Sequence, residues 1–511
     1  MEKQAMKTGK KIRLADFINW SGSVPCGSGT SSGSIPERVF IGAISTDSRT
    51  LEEGDFFIPV SGPNFNGHDF LYEALKKKAC GFVFEANFTE KINFVLNEFG
   101  SGFKDRLIIL KSDDNMKFLL DLASNYLKQF RVKKIGITGS YGKTTAKDFV
   151  TSIMQRQFKI RYTPENFNTE IGISKSMLQT DDGTEYFISE LGMRGMGQIG
   201  ILAGALNLDI AAITAVGPVH LEFFSDIGQI ARAKAEIAAP IQENGGVLFL
   251  NSDDRWTGFI QDLVSPSVPA AQTCSASPGA RIIKFGRNNN LEYNFIEKGS
   301  DDFGRFSADF FMKGKKIADV KLPVSGIHNI YNACCAAAIC SFAGVKPGFI
   351  KEGIENAAIS GNRMNAFAKG ENIIISDCYN ANPDSVKCAI DTLKLISAKK
   401  NMRSVAILAD MYELGHDTGK LHFETGKYLK NSGIDVLVAV GKHSGRIVDG
   451  FGQKPGKVPG KSGDLKSRQV SYFFKDAVSL IPELGSIIKK NDVLLIKGSR
   501  ANKLECLIDL I

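Results

Sequence analysis

The residues best placed to do chemistry lie in Ile135-Gly136-Ile137-Thr138-Gly139-Ser140-Tyr141-Gly142-Lys143-Thr144-Thr145, where an apolar run enters a glycine-rich turn ending in Gly-Lys-Thr-Thr. Glycines let successive backbone N–H groups curl around phosphate oxygens, and a following helix adds the positive end of its dipole. Lys143 can then reach the outer phosphates, and the Thr144 hydroxyl can ligate Mg²⁺. Gly139, Ser140, Gly142, Lys143, Thr144 and Thr145 are therefore the expected binding set for a nucleoside triphosphate. The spacing is a variant one: the common phosphate loop puts four residues between its glycine and Gly-Lys, whereas Gly139 leaves two and Gly136 leaves five. A chance glycine cluster is the alternative, and the order of strand, turn, Lys and paired Thr argues against it.

Three side chains downstream suit the same chemistry. Glu190 follows the apolar run Tyr186-Phe187-Ile188-Ser189, and a carboxylate at the carboxyl end of a parallel strand overlooks the ligand crevice, where it can join Thr144 on Mg²⁺. An N-cap or a surface charge is an equal reading of Glu190 taken alone. His220 stands after the apolar run Ala211 to Ala215 in the same kind of position, although a lone His is more often structural. Lys234 sits on a helix whose apolar residues should face the sheet. Such a lysine normally snorkels to water, whereas a carbamylated lysine near two metal ions would offer them a carboxylate-like group.

The elements that must position these groups alternate regularly. From Lys134 onward the sequence predicts strand Ile135 to Thr138, a helix after Gly142, a strand near Phe187 to Ser189, and a helix near Ile199 to Leu206. Strand Ala211 to Ala215, helix Ile227 to Ala238 and strand Val247 to Leu250 follow. Repeated βα units imply a mostly parallel sheet covered on both faces. Lys284 to Val320 reads as β-hairpins, and Tyr331 to Ala343 as an Ala-rich helix. A second alternation predicts strands at Ile373 to Ser376, Val405 to Leu408, Val436 to Val440 and Val493 to Ile496. Its helices fall near Ser385 to Ile396, Leu421 to Leu429 and Asp476 to Ile488, with a short one at the end. Gly452 to Lys466, rich in Lys, Gly and Pro, reads as a surface loop.

At 511 residues the chain exceeds what one core serves. The expected architecture is α/β in three domains: a small amino-terminal α/β domain over 1–131, a central phosphate-loop domain over 132–358, and a Rossmann-like doubly wound domain over 359–511. The charge of +8 is spread along the chain and suits a phosphate-rich ligand as readily as nucleic acid, for which no binding signature appears. The basic start lacks the apolar run of a signal peptide, and Ile199 to Val216 is interrupted by Asn207 and Asp209, too polar for a membrane span. Nine irregularly spaced cysteines without a CxxC fit a reducing compartment.

Taken together the motifs resemble the Mur ligases, ATP-dependent amide-forming enzymes of peptidoglycan synthesis, across all three expected domains. Asp377-Cys378-Tyr379-Asn380-Ala381-Asn382-Pro383 with Lys497-Gly498-Ser499-Arg500 is similar to the members that add D-alanyl-D-alanine to UDP-N-acetylmuramoyl-tripeptide. The resemblance implies these two substrates and ATP, two Mg²⁺ sites and a carbamylated Lys234; composition and hydropathy add the expectation of a cytoplasmic enzyme, taken as a monomer, with no nucleic-acid partner and no membrane insertion. It assigns catalysis to Lys143, Lys234, His220 and Arg363, and metal ligation to Thr144, Glu190, His220 and Lys234. Nucleotide contacts fall to Asn251, Asn329 and Asp377 beside the phosphate loop. Substrate contacts fall to Ser45, Ser48 and Arg49 near the amino terminus, Asn168 in the central region, and Tyr379, Asn380, Asn382, Lys497, Ser499 and Arg500. Ala215, Ser376, Ala409 and Asn362 depart from the family pattern without removing a group the reaction requires. A folylpolyglutamate-type ligase and a nucleotide-binding scaffold without catalysis are the competing readings, and Tyr379 to Pro383 argues against the first. The resemblance also implies that the third domain closes over the central one, from an open form without substrates.

Overall fold

The computed structural model describes residues 6–26, 40–62, 65–165, 167–265, 280–452 and 469–511. The chain forms two compact units, one of residues 1–135, 158–191 and 201–208, the other of residues 136–157, 192–200 and 209–511.

In the first unit a six-stranded sheet runs in the order Met6–Arg13, Phe40–Ser45, Phe56–Phe57, Gly81–Glu85, Ile108–Ser112 and Val24–Pro25. Its inner neighbours are parallel and its two edge strands antiparallel. Gly81 to Phe84 is buried on both faces, as expected of a parallel strand, and packs with Leu71, Leu75, Ile92 and Leu96 from the covering helices. The same unit contains the parallel pair Ile160–Tyr162 and Tyr186–Glu190 and the helix Glu170–Met177.

In the second unit Ile210–Ile213, Val247–Asn251, Arg281–Gly286 and Tyr293–Ser300 lie side by side in parallel, and Arg305–Met312 and Lys315–Ser325 extend them as an antiparallel meander. The expected hairpins over Lys284 to Val320 are thus part of this same sheet. The last sheet runs Asn365–Lys369, Asn372–Asp377, Asp492–Lys497, Arg403–Ala409, Val436–Val440 and Val470–Phe474. All its pairs are parallel except the first. Separate cores on its two faces, one with Ile390, Leu393, Leu429 and Phe451, the other with Leu480, Leu484, Leu504 and Leu507, make it doubly wound. The α/β class with three sheet-containing domains expected of the sequence is observed.

Local chemistry explains where elements begin and end. The helix Pro383–Lys400 starts with a reciprocal capping box between Asn382 and Ser385, a proline in its first turn and Asp384 at its positive end. It stops with Lys399 and Lys400 and a left-handed Asn401. The helix expected over Asp476 to Ile488 is instead two short helices, Ala477–Leu480 and Leu484–Ile487, joined by the 3₁₀ turn Ile481–Glu483. Pro482 lacks the N–H that a continuous helix would need there. The strand Val470–Phe474 and the helix Gly445–Phe451 have no counterpart in the sequence reading. Most of the Lys-Gly-Pro loop lies outside the described residues.

Candidate active site

The phosphate loop joins the strand Lys133–Thr138 to the helix Lys143–Met154. Gly139 has φ +152° and Gly142 φ +82°. A Cβ on Gly139 would sit 2.0 Å from Thr214 Oγ1, and one on Gly142 would sit 2.3 Å from Asn332 Oδ1, so neighbouring side chains close on both glycines. The turn is braced: Ser140 N–H donates to the Ala215 carbonyl at 2.7 Å, and Ser140 Oγ bonds Gly217 N–H and C=O at 2.9 and 3.1 Å. Ala215, one of the departures from the family pattern, therefore serves through its backbone. Thr214 Oγ1 donates to the Tyr141 carbonyl at 2.5 Å. Lys143 Nζ bonds the Gly139 carbonyl at 2.7 Å, within its own loop, while Thr144 and Thr145 are buried at the helix start.

His220 stands in left-handed backbone, φ +56°. Its Nδ1 lies 2.5 Å from Glu413 Oε2. Burial lowers the His220 pKa; Glu413 opposes that, and the charges of Lys143 and Lys234 add to the lowering. His220, Lys143 and Lys234 all belong to the second unit. A neutral imidazole whose Nδ1–H points at a carboxylate leaves Nε2 as a lone-pair donor, the arrangement found at metal-ligating histidines. Glu413, itself lowered chiefly by that hydrogen bond, was passed over in the sequence. It comes shortly after the carboxyl end of the parallel strand Arg403–Ala409, and that placement is the signal that could have found it. Lys234 is 2% exposed, so the snorkelling alternative does not hold.

Asn251 ends its strand with Nδ2 3.4 Å from the Thr214 carbonyl. Asn329 Nδ2 donates to Ser325 O at 2.7 Å, and its Oδ1 accepts from Asn332 at 2.9 Å. Asn332 thus links Gly142 to Asn329, another connection the sequence reading did not contain. Asp148, on the phosphate-loop helix, accepts from both Ser360 N–H and Oγ, at 2.8 and 2.7 Å. The Ser360 carbonyl in turn accepts from Arg363 at 3.0 Å. The Arg363 guanidinium lies 3.9 Å above the Tyr379 ring, and that of Arg500 lies 5.9 Å from it. Stacking on an aromatic face holds a guanidinium that would otherwise be mobile.

The remaining carboxyl-terminal positions are drawn inward. Lys497 is buried and donates to Asp377 Oδ2 at 2.6 Å and to the Asn380 carbonyl at 2.9 Å, so it fixes the loop that carries Tyr379. Asn382 spends its side-chain oxygen on the cap of the following helix, and Asn380 Oδ1 accepts from Ala381 N–H. Ser499 Oγ lies 3.4 Å from the Asp410 carbonyl.

In the first unit Ser45 Oγ bonds the backbone of Asp47, and Arg49 forms a paired ion contact with Asp47 at 2.7 Å. Arg49 holds the Asp47 pKa down at about 2. Ser48 is buried, its carbonyl accepting from Lys77 at 2.8 Å. Glu190 is also buried and accepts from Asn168 Nδ2 at 2.8 Å.

Residues 137–340 match the Mur ligase middle domain, and residues 362–500 match the Mur ligase glutamate ligase domain. The chain belongs to the Mur ligase family. It is 27% identical to the UDP-N-acetylmuramoyl-tripeptide--D-alanyl-D-alanine ligase of Bacillus subtilis (strain 168), covering 93% of this chain and 94% of that one. It is also 27% identical to the enzyme of the same name from Escherichia coli (strain K12), covering 91% and 93%. Among solved structures, MurF from Acinetobacter baumannii superposes with a TM-score of 0.81 at 24% identity over 98% of this chain and 99% of that one. MurF ligase from Thermotoga maritima in complex with ADP superposes at 0.72 and 23% identity, over 91% and 96%.

Proposed function

We propose that this Mur ligase joins D-alanyl-D-alanine to UDP-N-acetylmuramoyl-tripeptide, consuming ATP and releasing ADP and phosphate. We place it, as a monomer, in the cytoplasmic stage of peptidoglycan precursor synthesis. The observation that carries the reading is the chain of contacts from the phosphate-loop helix through Asp148 and Ser360 to Arg363, stacked on Tyr379 in the Tyr-Asn-Ala-Asn-Pro segment. It ties a triphosphate cradle to the segment that distinguishes the dipeptide-adding members. The names of relatives matched over nearly their whole length support the same activity.

A carboxylate is a poor acylating agent, so the γ-phosphoryl group of ATP first passes to an oxygen of the terminal tripeptide carboxylate, with ADP leaving. The dipeptide amine then attacks the acyl carbonyl and loses a proton, and phosphate departs with the bridging oxygen. Phosphoryl transfer asks the protein chiefly for positioning and charge neutralisation. Lys143 and the loop N–H groups hold the phosphates, and Arg363 and Arg500 offset the two anions that must meet.

Among the described residues no group of three or more His, Cys, Asp or Glu side chains forms a metal cage. Mg²⁺ binds through one or two protein ligands plus phosphate oxygens; Thr144 and a neutral His220 in the second unit are donors of that kind, as is Glu190 in the first. When bound, Mg²⁺ withdraws charge from the phosphate oxygens. Two such sites, with carbamylated Lys234 presented to one of them, complete the proposal. The test is phosphate release with UDP-muramoyl-tripeptides carrying lysine or diaminopimelate. Release that requires ATP, a tripeptide and D-alanyl-D-alanine together supports the reading; release indifferent to the dipeptide overturns it.

A further inference from the structure

Two left-handed, non-glycine residues face each other at the corner that holds His220. His220 has φ +56° and Glu413 φ +60°, conformations that a side-chain-bearing residue keeps only where its surroundings enforce them. Their side chains meet at 2.5 Å through His220 Nδ1 and Glu413 Oε2. The other carboxylate oxygen of Glu413 lies 3.6 Å from Arg194 Nε. The backbones interlock as well. Glu222 N–H reaches the Glu413 carbonyl at 3.4 Å, and Gly415 comes so near that an added Cβ would lie 2.9 Å from both Glu222 Cα and the Leu221 carbonyl oxygen. Glu413 belongs to the turn after Arg403–Ala409 in the last sheet, and His220 to the loop after Ile210–Ile213.

We propose that Glu413 is a positioning residue: a carboxylate supplied by the last domain holds the His220 ring with Nδ1 turned inward and Nε2 presented to the nucleotide-bound metal. This rests on the reading of His220 as a metal ligand. A carboxylate behind a ligating histidine fixes both tautomer and ring orientation, and losing such a partner typically lowers metal affinity by about 10- to 100-fold. The arrangement makes the metal site of the central domain depend on a residue of the last one, so that metal affinity reports whether the Tyr412 to Gly415 turn is seated.

The experiment uses the full chain with a non-hydrolysable ATP analogue and Mn²⁺, followed by electron paramagnetic resonance. Glu413→Ala should weaken Mn²⁺ binding about 10- to 100-fold and leave metal-free analogue binding unchanged. Glu413→Gln, whose amide oxygen still accepts from Nδ1–H, should recover most of the loss. On a His220→Ala background, Glu413→Ala should add nothing. In the metal-free parent, ¹⁵N shifts of His220 should show the proton on Nδ1, and in Glu413→Ala a mixture of tautomers. If His220→Ala weakens Mn²⁺ binding and Glu413→Ala does not, Glu413 has no positioning role while the ligand reading stands. If His220→Ala leaves Mn²⁺ binding intact, the ligand reading itself fails. Equal losses of analogue and metal binding in Glu413→Ala, without recovery in Glu413→Gln, would make the contact merely structural and overturn the proposal.

Discussion

Gly142→Ala probes the phosphate loop with the smallest possible change. At φ +82° an alanine adopts a left-handed backbone, which costs a residue with a Cβ about 1–2 kcal/mol. The new methyl would lie 2.3 Å from Asn332 Oδ1 and 3.1 Å from its Cγ, so Asn332 must move. Moving it breaks the 2.9 Å bond to Asn329, worth about 1 kcal/mol. The sum, about 2–3 kcal/mol, corresponds to about 30- to 150-fold weaker ATP binding if the loop must regain its shape to hold phosphate. Isothermal titration with ATP and Mg²⁺ reads that directly, with a urea titration beside it to register any share borne by the fold. A variant that bound ATP within twofold of the parent and unfolded at the same urea concentration would refute the steric account.

Other expectations follow from the same geometry. Gly204→Ala, in a helix with open space where its methyl would go, should stabilise the chain by about 1 kcal/mol; a lowered urea midpoint would contradict that. Asn382→Ala should cost about 1 kcal/mol through the lost cap, with Asn382→Ser retaining it, so equal losses in both variants would argue against capping as the cause. His68 is buried and stacked on Phe88 at 4.0 Å, its Nε2 accepts from Glu85 N–H, and its Nδ1 faces Asn66 Oδ1; burial, then Lys91, pushes its pKa down to about 4. Because the unfolded side chain titrates near 6.5, its contribution is complete above that pH and is lost as pH falls toward 4. His68→Gln should therefore flatten the decline in urea midpoint between pH 7 and 4.5, and an unchanged decline would remove His68 as its source. Lys143→Ala should lower turnover by about 10²- to 10³-fold with the fold intact, and near-normal ligation would void its assigned role.

Much of the alternation was legible because parallel strands such as Val436–Val440 are apolar runs, and helices such as Pro383–Lys400 carry their own start and stop signals. What stayed hidden has particular causes. Pro482 sits inside an otherwise helical apolar pattern, so periodicity alone joined two short helices into one. The strand Val470–Phe474 is short and half-exposed, and its apolar signal is brief beside the Lys-, Gly- and Pro-rich sequence before it. At the site, the residue types proposed to hold phosphate are local in sequence and were readable. The partners that shape them, Asn332 behind Gly142 and Glu413 behind His220, are about 190 residues away, and only the fold brings them in. Lys497 and Asn382 show the opposite limit. Their motif was visible, but their side chains are spent on Asp377 and on a helix cap.

The most direct measurement on the central claim follows the oxygen atoms of the acid being activated. With the terminal carboxylate of the tripeptide labelled with ¹⁸O, transfer of the γ-phosphoryl group to that carboxylate predicts one labelled oxygen in each phosphate released during dipeptide addition. Product formed at the normal rate with unlabelled phosphate would show that the acid is never phosphorylated, and the account given for this site would be wrong.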